Sequence, residues 1–249
     1  MSPAAPNPPS ARAELLPYVG PMAIFALFLF VPSLMHHLTG GGSDAETAAA
    51  AKSLWLRTPE YWVYPLQALV CGAALLAWRR HYQFGLSPRA LTLGTVAGVL
   101  ALVLWIAPQT LLGATPRTGA GFDPTPLVSA PALYALVLAG RFLRLVVAVP
   151  FVEEIFWRGF LLRYLTPAGE RDGFTRAPYT FTPASFGIVA VCFMLEHSPP
   201  DWPAALLVGA LYNFLAIRTG SLGACVLAHA VTNAGLGVYV LLTRQWGFW

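Results

Sequence analysis

The chain has 249 residues, of which 57% are hydrophobic and only 10% charged, and its formal net charge is +4. A soluble domain carries about a quarter charged residues, so this composition excludes an ordinary soluble protein and indicates a helical membrane protein. The basic residues are scattered between apolar runs, so we expect no nucleic-acid partner. Cys71, Cys192 and Cys225 lie inside apolar runs, and we interpret them as buried apolar side chains rather than disulfide or metal partners.

The chain begins with a proline-rich polar tail, which we predict to be disordered over residues 1–17. After it come seven apolar segments, most of them close to the ~20 residues that cross a bilayer as a helix. They lie at about 18–38, 61–78, 90–112, 145–164, 184–200, 203–217 and 222–243. The predicted fold is therefore all-α, a polytopic transmembrane bundle of about seven spans with a central polar cavity, and a single domain over residues 18–249.

Residues 132–144 do not fit this pattern cleanly. They are apolar but contain Arg141 and Arg144, so they suit either an interfacial helix or an extension of the fourth segment.

The distribution of lysine and arginine predicts the orientation, because cytoplasmic loops carry more of both. With a cytoplasmic N-terminus the outer side holds four basic residues, namely Lys52, Arg57, Arg117 and Arg244. The inner side then holds eight, namely Arg12, Arg79, Arg80, Arg89, Arg163, Arg171, Arg176 and Arg218. The sequence therefore predicts a multi-pass membrane protein with its N-terminus in the cytoplasm.

The fourth segment contains the stretch FVEEIFWRGF, which places three charges in apolar surroundings. Ionisable residues within spans are rare and indicate function by default. Glu154 and Arg158 are spaced i,i+4 and can pair, whereas Glu153 points about 100° away around the helix. We interpret Glu154 and Arg158 as a structural brace and Glu153 as a candidate general base. The alternative is that all three charges only hold helices together.

Two further polar groups occur in later segments. Phe193 and His197 are spaced i,i+4 in FMLEH, with Glu196 beside them, and His229 and Asn233 are spaced i,i+4 in HAVTN. A glutamate and a histidine that share a water can activate it as a nucleophile, and a second histidine and an amide can stabilise an oxyanion. This combination suits hydrolysis of an amide bond. The chain lacks GxSxG and HExxH motifs, which disfavours a serine nucleophile and a conventional zinc protease.

The motifs EEIFWR, FMLEH and HAVTN resemble the EExxxR, FxxxH and HxxxN pattern of the CPBP family of intramembrane proteases. That family includes the Rce1-like CAAX prenyl proteases and bacterial Abi-like proteins. The resemblance covers about residues 145–240, where it implies a catalytic core. It implies a glutamate-dependent endopeptidase that cleaves near the C-terminal tail of a membrane-associated or lipidated protein in the bilayer. The implied catalytic residues are Glu153, His197, His229 and Asn233, with Glu154, Arg158 and Phe193 in support.

Cofactor and location are also expectations from this resemblance. We expect no cofactor; the alternative is a zinc enzyme with Glu153, His197 and His229 as ligands. The segments YVGPMAIFALF and YWVYPLQALV resemble CAAX-protease-related proteins of bacterial sorting systems, which implies a prokaryotic plasma (inner) membrane. If the fourth span begins near Leu145, helix rise places Glu153 roughly 12 Å from the outer surface. We therefore favour a cavity that opens outward.

Two readings from other classes remain open. A non-proteolytic transporter would also place ionisable residues inside its spans, but the chain shows none of the internal repeats that are common in transporters. A non-catalytic scaffold is the second, and the intact motifs argue against it.

Overall fold

The computed structural model describes residues 11–40, 54–118 and 121–249, and within these residues it contains helices and no strand. The prediction of an all-α fold is confirmed. Nine helices are present in the described residues: α1 (Ala11–Gly40), α2 (Leu54–Arg57), α3 (Glu60–Ala77), α4 (Pro88–Thr110), α5 (Pro131–Tyr164), α6 (Pro167–Asp172), α7 (Pro183–Leu195), α8 (Trp202–Thr219) and α9 (Leu222–Thr243).

Four of these helices are long and apolar enough to cross a bilayer. The spans are Glu14–Met35 within α1, Pro88–Thr110, Pro131–Tyr164 and Leu222–Thr243. Helices also form at the three remaining predicted segments, but α7 has only 13 residues. Helices α3 and α8 are not among those that are both long enough and apolar enough to cross a bilayer. The chain is a multi-pass membrane protein.

Three predicted boundaries are wrong. The fourth span begins at Pro131 rather than near residue 145, so residues 132–144 extend this span. Helix α1 begins at Ala11 rather than at residue 18; residues 1–10 of the predicted tail lie outside the described residues. Helix α7 ends at Leu195 rather than near residue 200, because the prolines at 199 and 200 disfavour helix in the residues before them.

One end of the bundle, here called the proximal end, carries the connections 78–87, 165–182 and 220–221. The backbone N–H of Gly223 donates to the Phe84 carbonyl at 2.7 Å. The Ser221 hydroxyl donates to the same carbonyl at 2.9 Å and also caps α9 by accepting from the Ala224 N–H at 3.0 Å. These bonds fix the start of α9 against the 78–87 connection.

The opposite end, here called the distal end, carries the connections 111–118 and 121–130, the turn 196–201 and the C-terminal residues 244–249. Arg117 joins these pieces: its side chain pairs with Asp201 at 2.5 Å, and its backbone N–H donates to the Gln245 side chain at 2.9 Å. The Tyr61 hydroxyl donates to the Asp123 carbonyl and so brings the start of α3 to the same end.

Helices α4 and α9 approach each other closely through glycine. A Cβ at Gly94 would lie 2.7 Å from the Ala224 carbonyl oxygen, and one at Gly98 would lie 2.5 Å from the Ala228 carbonyl oxygen. The Thr232 hydroxyl bonds the Gly98 carbonyl at 2.8 Å across this contact. Small residues at such positions are typical of tightly packed membrane helices. The contact sets the position of α9, which carries two of the predicted catalytic residues.

Candidate active site

The predicted catalytic carboxylates lie between two irregular segments of α5. The segments Leu143–Ala148 and Ile155–Leu161 are π-helical, and the α-helical piece Val149–Glu154 separates them. Single π turns inside α-helices are often found at functional sites. Both Glu153 and Glu154 are buried at the end of this α-helical piece.

Arg158 forms the predicted ion pair with Glu154 and has hydrogen-bond partners for each of its nitrogens. Its Nη1 donates to Glu154 Oε1 at 3.0 Å, its Nε to Asn213 Oδ1 at 3.1 Å and its Nη2 to the Gly209 carbonyl at 3.0 Å. The side chains of Glu154 and Arg158 are 0% exposed. A buried charge is tolerated when it is paired and hydrogen-bonded in this way. The arrangement locks α5 against α8.

Glu154 also holds His229 of α9. The Nδ1 atom of His229 lies 2.9 Å from Glu154 Oε1, the same oxygen that Arg158 contacts. Since an ionised carboxylate only accepts hydrogen bonds, Nδ1 carries the hydrogen and donates it. The ring therefore presents Nε2 as an acceptor when neutral and as a second N–H donor when protonated. Phe193 packs against this group, with its ring 4.8 Å from the Arg158 guanidinium carbon and 6.3 Å from the His229 ring.

Glu153 has a different environment from its neighbour. Its side chain is buried and lines a cavity of about 190 Å³ that His197, His229 and Asn233 also line. Its Oε2 atom has no hydrogen-bond partner among the described protein groups. The fold thus places a carboxylate without a protein partner in a cavity that two histidines also line.

His197 lies in the turn after α7 rather than within a helix. Its Nδ1 atom is 2.8 Å from the Phe193 carbonyl oxygen. Because a carbonyl can only accept, Nδ1 is the protonated nitrogen and Nε2 is an acceptor in the neutral ring. The ring packs at a tilt between Phe193 and Trp105, with centroids 4.8 and 5.2 Å away. The Trp202 indole donates to the His197 carbonyl at 3.0 Å. These contacts fix the ring with the cavity beside it.

Asn233 lies one turn after His229 and lines the same cavity. One N–H of its amide donates to the Leu145 carbonyl of α5 at 2.9 Å. That carbonyl lies in the π-helical segment Leu143–Ala148, where α-helical partners are missing. The second amide N–H is not used by any described protein group and can act within the cavity.

The alternative zinc ligands Glu153, His197 and His229 all line the cavity. Even so, no three His, Cys, Asp or Glu side chains within residues 11–40, 54–118 and 121–249 form a group that could hold a metal ion. The donor set does not fit a zinc site as arranged, and a metal-free reaction stays a prediction.

Several residues of this region were missed in the sequence. Asn213 bonds Arg158, and the Tyr212 hydroxyl bonds Thr232 at 2.7 Å, so α8 supports both α5 and α9. The Trp157 indole donates to Glu196 at 3.1 Å and ties α5 to the turn after α7. A polar side chain within an apolar helix is the signal that could have identified Asn213.

Residues 135–235 match a family model described as type II CAAX prenyl endopeptidase Rce1-like. The match spans all three motifs. The match supports assignment of this part of the chain to the CAAX protease family. It supports the prediction of an intramembrane protease at this general level, whereas the roles of individual residues stay predictions. No curated protein and no solved structure matched the chain in the corresponding comparisons.

Proposed function

We propose that this chain is an intramembrane endopeptidase that hydrolyses a peptide bond near the C-terminal tail of a membrane-associated or lipidated protein. The observation that carries the proposal is the unpaired Oε2 of Glu153, buried in a cavity that two histidines line. An isolated carboxylate in such a place is costly, and a structural role for it would require a partner. Catalysis explains a carboxylate that lines the cavity without a protein partner, because a general base must reach its substrate water.

In the first step, the Glu153 carboxylate accepts a proton from water while Nε2 of His197 accepts a hydrogen bond from the same water. The oxygen of that water then attacks the carbonyl carbon of the scissile bond. The fixed Nδ1–H bond to Phe193 leaves Nε2 of His197 free for this contact. Positioned proton transfer of this kind contributes about 10²–10⁴-fold to rate.

In the second step, the carbonyl oxygen becomes an oxyanion. Protonated His229 donates from Nε2 while its Nδ1 stays bonded to Glu154, and Asn233 donates its second amide N–H. Donors fixed in advance at such a position are often worth ~3–4 kcal/mol in the transition state. Collapse of the intermediate reforms the carbonyl, breaks the C–N bond and returns the proton from Glu153 to the departing amine.

The proposal can be tested by mass spectrometry of membrane proteins from cells that express the wild type or Glu153→Gln. We expect shortened C-terminal fragments in the wild type and none with Glu153→Gln. Glu170→Gln is the matched control, since Glu170 is an exposed carboxylate on α6, away from the cavity. Identical fragment sets from wild type and Glu153→Gln would contradict the proposal and favour a transporter or scaffold.

The metal-free reaction is tested on purified protein. We expect that dialysis against a chelator leaves activity largely intact. Activity that disappears on chelation and returns with stoichiometric zinc would instead support the metal-dependent alternative.

A further inference from the structure

We propose that Arg144 binds the free C-terminal carboxylate of the substrate tail, and this inference rests on the proposed function. Arg144 lies on α5 in the π-helical segment Leu143–Ala148 and lines the same cavity as Glu153. Its side chain plays no part in the chemistry described above. Its position suggests that it recognises the part of the substrate beyond the scissile bond.

The contacts of Arg144 hold its side chain in place but leave one edge of the guanidinium open. Its Nε donates to Gln67 Oε1 at 2.5 Å, and Gln67 is itself fixed by a bond from its amide to the Phe25 carbonyl at 2.8 Å. The guanidinium carbon lies 4.3 Å from the Tyr64 ring centroid and 5.1 Å from that of Phe25. Among the hydrogen bonds of the described residues, none uses Nη1 or Nη2.

Arg144 also has no carboxylate of the described residues in direct contact, although Glu153 of the same cavity interacts with it electrostatically. Arg144 is only 7% exposed, yet within the described parts of the chain no acidic group lies within 4.0 Å of it. Arg158 is the contrasting case on the same helix, because its three nitrogens are all bonded. A buried cation normally requires an anion. For Arg144 the cavity is where that anion can bind.

The chemistry of the open edge selects a carboxylate. A guanidinium presents two parallel N–H groups that match the two oxygens of a carboxylate. Aromatic rings on Tyr64 and Phe25 fix its plane, so little side-chain entropy is lost on binding. A C-terminal tail supplies one such group at its end.

The spacing along α5 agrees with this role. Arg144 and Glu153 are nine positions apart, which corresponds to roughly 13 Å of helix at ~1.5 Å per residue. An extended peptide covers about 3.3–3.6 Å per residue. A carboxylate held at Arg144 therefore places a bond only a few residues upstream beside Glu153.

Binding can be measured without turnover in the purified Glu153→Gln protein. The probes are a fluorescent, farnesylated CAAX-type peptide with a free C-terminal carboxylate and the same peptide with a C-terminal carboxamide. We expect the acid to bind about ten- to a hundredfold more tightly than the amide, as for a lost charge-assisted pair of hydrogen bonds. Adding Arg144→Gln should remove this preference and leave affinity for the amide unchanged.

Two controls separate recognition from folding. Arg144→Lys keeps the charge but not the two parallel donors, so it should keep only part of the preference. Arg171→Gln should keep all of it, because Arg171 is exposed on α6. Equal binding of the acid and the amide by Glu153→Gln, including no measurable binding of either, would overturn the inference. An unchanged preference in the Arg144→Gln protein would overturn it as well.

Turnover of the acid peptide by the wild type tests the proposed function separately. Cleavage without a carboxylate preference would support the protease and reject the role of Arg144. A preference that depends on Arg144, with no cleavage of the peptide, would support the carboxylate site and count against the proposed hydrolysis.

Discussion

Glu153 and Glu154 are adjacent in the chain but have opposite environments. Glu154 Oε1 accepts from Arg158 and His229, although its Oε2 has no partner among the described residues. Glu153 lines the cavity and makes no hydrogen bond to a described protein group. The difference follows from their positions on α5, where adjacent residues face directions about 100° apart. One carboxylate therefore supports the bundle, and the other is available for chemistry.

The brace is tested by removing one of its partners. Arg158→Ala should lower the free energy of unfolding by about 3–5 kcal/mol, because it leaves Glu154 as a buried charge without its main partner. The unfolding midpoint in detergent gives the measurement. Arg171→Ala is the matched control, since the Arg171–Asp172 pair has a 3.6 Å separation and side chains that are 71% and 58% exposed. Exposed pairs contribute little, so equal losses in the two variants would contradict the brace.

His197 provides the second test at this scale. We expect His197→Ala to lower kcat/KM by about 10²-fold or more, since it removes the group that we propose positions water with Glu153. His81→Ala is the control, because His81 Nδ1 also bonds a backbone carbonyl, that of Trp78 at 3.2 Å, but lies at the proximal end away from the cavity. A cleavage rate within a few fold of wild type in His197→Ala would rule out this role.

Most of the site could be predicted at the residue scale from local spacing. The i,i+4 pairs Glu154–Arg158 and His229–Asn233 are patterns that a regular helix brings to one face, and both members of each pair reach the same region. The bond between Glu154 and His229 could not be predicted, because it joins positions 75 residues apart. Such contacts depend on how α5 packs against α9.

The irregular turns of helix α5 explain why sequence spacing did not place Arg144 at the cavity. In a regular α-helix Arg144 and Glu153, nine positions apart, point about 180° away from each other. The segment Leu143–Ala148 is π-helical, so its wider turns change the phase and bring both side chains to one cavity. Sequence periodicity assumes a constant number of residues per turn and cannot detect this change.

The contact between α4 and α9 is the element-scale feature on which His229 and Asn233 depend. Gly98→Ala should destabilise the protein by ~1–3 kcal/mol, because the new Cβ would lie 2.5 Å from the Ala228 carbonyl oxygen and 2.7 Å from Val231 Cβ. The resulting shift of α9 should also lower kcat about tenfold or more. Thermal unfolding measures the loss of stability, and peptide cleavage measures the loss of kcat.

Gly72→Ala is the matched control for this substitution. A Cβ at Gly72 in α3 meets nothing within 4 Å, so we expect wild-type stability and turnover. If Gly98→Ala behaved like Gly72→Ala, the close packing of α4 on α9 would not be what positions the proposed catalytic residues His229 and Asn233.

At the scale of the whole molecule, arginine is distributed unevenly between the two ends. The proximal end carries Arg79, Arg80, Arg89, Arg163, Arg171, Arg176 and Arg218 in its connections and adjoining helix ends, and the distal end carries Arg57, Arg117 and Arg244. This bias favours a cytoplasmic proximal end.

The depth estimate that favoured an outward cavity is wrong, because the span begins at Pro131 rather than near Leu145. The residues that line the cavity show better which end it opens toward. Asp201 and Phe248 line it, and both belong to the distal end.

We therefore expect the cavity to open on the side of the membrane opposite the cytoplasm. The test uses a chain in which Cys71, Cys192 and Cys225 are replaced by alanine and a single cysteine is introduced. Ser198→Cys lies beside His197 in the exposed distal turn, and Thr180→Cys lies in the exposed proximal connection. An impermeant thiol reagent added to intact cells should label Ser198→Cys, whereas Thr180→Cys should react only after the cells are opened. Since the two positions lie at opposite ends of one bundle, the reverse pattern would show that the distal end, and with it the active-site opening, faces the cytoplasm.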